Sequence, residues 1–156
     1  MYDTYIFDLD GTLLSTLNDL AASCNYALEN NGMPKRSIDE VRQFVGNGVK
    51  KLMERAIPDG LSNPLFDKTY QDFRQHYMKH NLDTTCPYDG VMDMLQELHR
   101  RGKKVAVVSN KFYAATQDLC RHFFGEELVP VAIGEREDIR KKPAPDTVIE
   151  ALRQLG

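Results

Sequence analysis

Two carboxylates sit at the end of a short apolar run, in Tyr5-Ile6-Phe7-Asp8-Leu9-Asp10-Gly11. Side chains alternate across a strand, so a regular strand would send Asp8 and Asp10 the same way. Gly11 allows a sharp exit, which would swing Asp10 into a loop beside Asp8. Two close acids repel, and a shared proton, a metal ion or a nearby lysine must offset that. The same composition also suits an ordinary Asp-rich turn. Two further groups stand out. Ser109 follows the apolar run Val105-Ala106-Val107-Val108, where its hydroxyl and nearby N–H groups could hold phosphate oxygens. Taken alone, it reads as a polar turn residue. Lys142 opens Lys142-Pro143-Ala144-Pro145, whose prolines stiffen the loop. A fixed ammonium there could offset the acids, whereas a surface lysine is more often simply solvated; Lys141 is an adjacent competitor.

The elements that must position these groups can be read from hydrophobic period. Tyr5-Ile6-Phe7 and Val105–Val108 are buried-strand patterns, and 128–133 is a third candidate, whose Pro130 either leaves the ladder incomplete there or places the strand at the sheet edge. From Thr16 the period becomes helical. Leu17, Leu20, Ala21, Cys24, Ala27 and Leu28 share a face, and Ser37 with Glu40 forms a capping box. A further helix carries Val49, Leu52, Met53 and Ala56. A long one, from about Leu65 to His80, bears the stripe Phe66, Tyr70, Phe73, Tyr77, which reads as bundle core. Helices are also expected before and after Val105–Val108 and over 147–155, with Asp146 as an N-cap. The order predicts an α/β, Rossmann-like parallel sheet formed by 1–15 and 83–156, with an all-helical insert at 16–82. In such sheets ligands bind beyond the carboxyl ends of the strands, where Asp8 and Ser109 lie.

Composition narrows the class. The 156 residues carry a net charge of -3, which gives no support to nucleic-acid binding. No apolar run approaches membrane-spanning length, and no basic-then-apolar leader opens the chain. Three scattered cysteines, Cys24, Cys86 and Cys120, suggest reduced thiols and a cytoplasmic setting.

Asp8-Leu9-Asp10-Gly11-Thr12-Leu13 resembles the first motif of the haloacid dehalogenase-like phosphatases. Val107-Val108-Ser109-Asn110 resembles the second motif, and Lys142-Pro143-Ala144-Pro145-Asp146 the third. Phe44-Val45-Gly46-Asn47-Gly48 and Leu52-Met53-Glu54-Arg55-Ala56 are similar to the helical cap of the phosphoglycolate phosphatase branch. The resemblance implies Asp8 as nucleophile, Asp10 as general acid/base and Lys142 as the third-motif lysine. It implies Thr12, Ser109 and Asn110 as phosphate- and substrate-binding groups, and the loop Gly46, Asn47 and Gly48 in substrate choice. It also implies Mg²⁺ at Asp8 and the Asp10 carbonyl, and a small phosphorylated metabolite as partner. The chemistry fits the residues: a carboxylate attacking phosphorus forms an aspartyl phosphate and splits one hard displacement into two.

The resemblance has two departures. Ser15 stands where family members often carry an acid, and the sequence ends at Gly156, before the family's acidic fourth motif. The expectation is therefore a C-terminally incomplete core, weaker Mg²⁺ binding, and a first strand exposed at the sheet edge and open to self-association. The primary expectation is a phosphatase; the alternatives are a phosphomutase of the β-phosphoglucomutase kind or a catalytically defective fragment.

Overall fold

A computed structural model describes residues 1–156. Strands β1 (Thr4–Phe7) and β2 (Leu14–Ser15) precede the helices α1 (Leu17–Asn30), α2 (Ile38–Phe44), α3 (Val49–Ala56) and α4 (Phe66–His80). Then come β3 (Cys86–Pro87), α5 (Val91–Arg100), β4 (Lys104–Phe112) and α6 (Tyr113–Phe123). A single turn, α7 (Gly125–Leu128), leads to β5 (Val131–Glu135) and α8 (Asp146–Leu155). Residues Met1–Ser15 with Cys86–Gly156 form one unit, and Thr16–Thr85 form another.

The first unit is built on a parallel sheet of order β1-β4-β5, with Ile6 opposite Ala106 and Val107 opposite Ala132. β4 is central and buried from Val105 to Phe112, which is why its sequence is apolar without alternation. Val105 and Val107 join Leu9, Leu13, Leu95 and Leu119 on one face. Ala106 and Val108 join Ile133 and Ala151 on the other. Helices thus cover both faces, and each fully buried valine or leucine contributes about 1.5–3 kcal/mol. β1 lies at one end of the sheet, pairing with β4 alone. β2 and β3 form a separate antiparallel ribbon, Leu14 opposite Pro87 and Ser15 opposite Cys86.

The second unit is all-helical. α1 packs on α4, and Leu20, Cys24, Ala27, Leu28, Phe66, Phe73 and Tyr77 are buried. Phe73 and Tyr77 stack with ring centroids 5.7 Å apart. Tyr70 of the same stripe is only half-buried. At α2, Ser37 accepts from the Glu40 N–H and the Glu40 carboxylate accepts from the Ser37 N–H. The unit's two ends are tied at Asp19, which is buried near the start of α1. Its carboxylate accepts from both the N–H and the hydroxyl of Thr84 and of Thr85. Burial pushes the Asp19 carboxyl up, but these four donors outweigh it and hold it below its ordinary value.

Three expectations shift. The third strand begins at Val131, because Pro130 has no N–H for the ladder and 125–128 closes a helical turn instead. β4 runs on through Phe112, with its pairing irregular between Val108 and Phe112, so Ser109, Asn110 and Lys111 lie within the strand. Asp146 is the first residue of α8 and not its cap, since both its oxygens accept from Arg140, at 2.9 and 2.8 Å.

Candidate active site

The site grows from the turn that follows β1. Leu9 is fully buried, and its carbonyl accepts from the N–H groups of Thr12, Leu13 and Leu14, each at 3.1 Å. Gly11 takes φ +77° and donates its N–H to the Leu14 carbonyl at 2.9 Å, a conformation that suits glycine. The turn therefore brackets a pinned leucine with two carboxylates. Thr12 stands exposed on its outer side.

Each carboxylate has its own lysine. Lys142 Nζ lies 2.9 Å from Asp8 Oδ1 and also donates to the Val108 carbonyl at 3.0 Å. The position of Lys142 is set by Asn110, whose amide Nδ2 donates to the Lys142 carbonyl (3.1 Å) and whose Oδ1 accepts from the Lys142 N–H (2.9 Å). Asn110, expected to bind substrate, thus has both ends of its amide on the lysine loop. Lys141, the competitor, instead lies 3.8 Å from Glu135.

The second pair was missed by sequence reasoning. Lys111 Nζ lies 3.0 Å from Asp10 Oδ1, with the lysine side chain 0% exposed and the Asp10 side chain 17% exposed. The Lys111 main chain is held as well. Its N–H donates to Ser109 Oγ at 3.1 Å, and its carbonyl accepts from Thr116 Oγ1 at 3.3 Å. Gly134 of β5 presses on the same place. A Cβ there would come within 2.6 Å of Thr116 Oγ1 and 2.7 Å of both the Lys111 carbonyl oxygen and Tyr113 Cα. Burial pushes the Cys120 thiol up to about 12, and the negative charge of Asp10 acts in the same direction. The only sequence signal for Lys111 was its place directly after Ser109-Asn110, and a lysine leaving a strand ordinarily reads as solvated.

Asp8, Asp10, Ser109, Asn110, Lys111 and Lys142 are thus gathered at the ends of β1 and β4 in one unit. The loop Gly46-Asn47-Gly48 belongs to the helical unit. There Gly46 (φ +128°) and Gly48 (φ +92°) take backbone conformations suited to glycine. Asn47 Oδ1 accepts from Arg55 Nη2 at 2.9 Å, while Arg55 Nη1 donates to the Phe44 carbonyl at 2.8 Å. Arg55 braces the loop between α2 and α3.

A family model described as haloacid dehalogenase-like hydrolase matches residues 5–156. The chain belongs to the haloacid dehalogenase-like hydrolase family. It is 31% identical over 152 residues to a phosphoglycolate phosphatase of Aquifex aeolicus, covering 97% of this chain and 69% of the relative. An N-acetylmuramic acid 6-phosphate phosphatase of Pseudomonas aeruginosa is 28% identical over 151 residues, with 97% and 67% covered. Among solved structures, one from Lactobacillus delbrueckii subsp. bulgaricus, whose phosphoglycolate phosphatase name is provisional, superposes with a TM-score of 0.90. It is 32% identical, with 99% of this chain and 74% of that one covered. The chain is thus an enzyme of a hydrolase family with phosphatases among its relatives. No helix is long and apolar enough to cross a membrane.

The donors near Asp8 suit a hard cation. The Asp8 carboxylate and the Asp10 carbonyl offer oxygen only, the ligand type Mg²⁺ prefers. No group of three or more His, Cys, Asp or Glu side chains that could hold a metal comes together anywhere in the chain. Mg²⁺ at these two residues would keep waters in the rest of its shell.

Proposed function

We propose that this chain hydrolyses small phosphorylated metabolites, phosphoglycolate-like in size and charge, through a phosphoryl group carried on Asp8. The observation that carries the reading is the pair of strand-end acids, each held by its own lysine. With Oδ1 held by Lys142, Asp8 attacks phosphorus through Oδ2. The P–O ester bond breaks, and Asp10 gives its proton to the departing alkoxide. In the second half Asp10 takes a proton from water. The hydroxide attacks phosphorus, and inorganic phosphate leaves as the Asp8 carboxylate is restored. Lys142 meets the charge that builds on the phosphoryl oxygens. Mg²⁺, held by Asp8 and the Asp10 carbonyl, would supply further neutralisation of phosphoryl charge. The relatives named for phosphoglycolate support the substrate class, and we assign the Gly46-Asn47-Gly48 loop a part in substrate choice by the likeness of its sequence.

The test is phosphate release with Mg²⁺ across phosphoglycolate, N-acetylmuramic acid 6-phosphate and sugar phosphates. The expected result is turnover of small phosphomonoesters that Asp8→Asn abolishes. Near-native activity in that variant would overturn the nucleophile assignment.

A further inference from the structure

A lysine with no exposed side-chain surface is costly to keep. Removing an ammonium and a carboxylate from water carries a large desolvation penalty, and apolar side chains of equal volume are often no less stable in the same place. The Asp10–Lys111 pair is therefore poorly explained by stability. Its surroundings point elsewhere. Lys111 sits where β4 departs from regular pairing, its N–H on Ser109 and its carbonyl on Thr116, with the close approach of Gly134 behind it. These contacts hold the lysine backbone on three sides, so the ammonium is presented from a rigid seat. Lys142, by contrast, reaches Asp8 from a loop and is 30% exposed.

We infer that Lys111 is the positioning residue of Asp10. It fixes the Oδ1 end of that carboxylate so that proton delivery to the leaving group and proton removal from water occur from one place. The inference rests on the acid/base reading of Asp10. It gives the two lysines different roles. Lys142 serves the nucleophile and the phosphoryl oxygens, whereas Lys111 acts through Asp10. A misplacement of about 1 Å in a reacting group can cost 100-fold in rate, so a loosened Asp10 should affect kcat far more than KM.

Leaving-group dependence provides the test. An aryl phosphate such as 4-nitrophenyl phosphate departs without a proton, so its first half-reaction does not need Asp10, while breakdown of the aspartyl phosphate still does. In Lys111→Met we expect kcat for alkyl phosphates to fall about 10- to 100-fold with KM within about twofold. With the aryl phosphate we expect a burst of nitrophenolate at near-native rate, then slow turnover. Lys111→Met leaves the half-buried Asp10 charge beside an apolar chain and could prevent folding. The double variant Asp10→Asn/Lys111→Met removes both charges and is compared with Asp10→Asn alone. Equal burst and turnover rates in those two support the inference. A burst slowed tenfold or more by the added lysine change, or loss of the aryl burst in a folded Lys111→Met, would overturn it. Absence of both burst and phosphate release in the native chain would instead overturn the phosphatase reading, and the inference with it.

Discussion

Adding one methyl group at Gly134 should destabilise the core unit more than adding one at Gly102. The Cβ of Gly134→Ala would stand 2.6 Å from Thr116 Oγ1 and 2.7 Å from the Lys111 carbonyl oxygen and from Tyr113 Cα. Favourable carbon contacts lie near 3.5–4.0 Å, so each neighbour must retreat by about 0.8 Å or more. Two of the three are main-chain atoms, at the end of β4 and the start of α6, and cannot rotate away. Overpacking costs about 1–3 kcal/mol, and this geometry argues for about 3. At about 2–4 °C per kcal/mol for a protein of this size, the melting temperature should fall by about 6–12 °C in scanning calorimetry. Gly102→Ala is the control: its φ is +65° but nothing lies within 4 Å of the added Cβ, so only the left-handed penalty of about 1–2 kcal/mol applies. Because the displaced atoms seat Lys111, kcat should fall as well. A Gly134→Ala melting temperature within about 1 °C of native would refute the steric argument.

Lys142→Met should lower kcat for phosphate release by about 100-fold or more, since it removes an ammonium that meets charge developing in the transition state. Asp19→Asn should destabilise the helical unit by about 3 kcal/mol at neutral pH, because hydrogen bonds to a charged acceptor are lost and an amide NH₂ is set against N–H donors. Its pH dependence follows from the lowered folded-state pKa: the contribution is present above the ordinary value of 3.8 and is lost as pH falls through the lower folded value. Denaturant melts of native and variant chains should accordingly converge in acid. A thiol-specific reagent should titrate the exposed Cys86 alone in the folded protein. Cys24 and Cys120 are buried with thiols pushed up to about 12, and should react only after denaturation.

The parts of the fold legible in sequence were those fixed by local pattern. Val105–Val108 declared a strand buried on both faces, the Ser37 and Glu40 spacing declared a helix start, and Asp8-Leu9-Asp10-Gly11 declared a sharp turn out of the first strand. What stayed hidden depends on partners far along the chain. Nothing near Lys111 says that it will be buried against Asp10, a hundred residues earlier, and its seat is completed only by Gly134 on another strand. Asp146 looked like a helix cap because Asp often is one; Arg140 was better placed to take it. Asp19 carries no local signal of its role, since the two threonines it binds lie at the far end of the helical unit.

The β2–β3 ribbon sets Ser15 directly beside Cys86, so within the core unit the two chain ends that border the helical unit already meet. The core could therefore be rejoined by a tight hairpin turn in place of Thr16–Thr85. The helical unit in turn keeps its own ends together through Asp19 and the two threonines. The junction acts as a socket: a donor segment whose termini lie about one strand spacing apart could be grafted there without altering the register of β1 against β4.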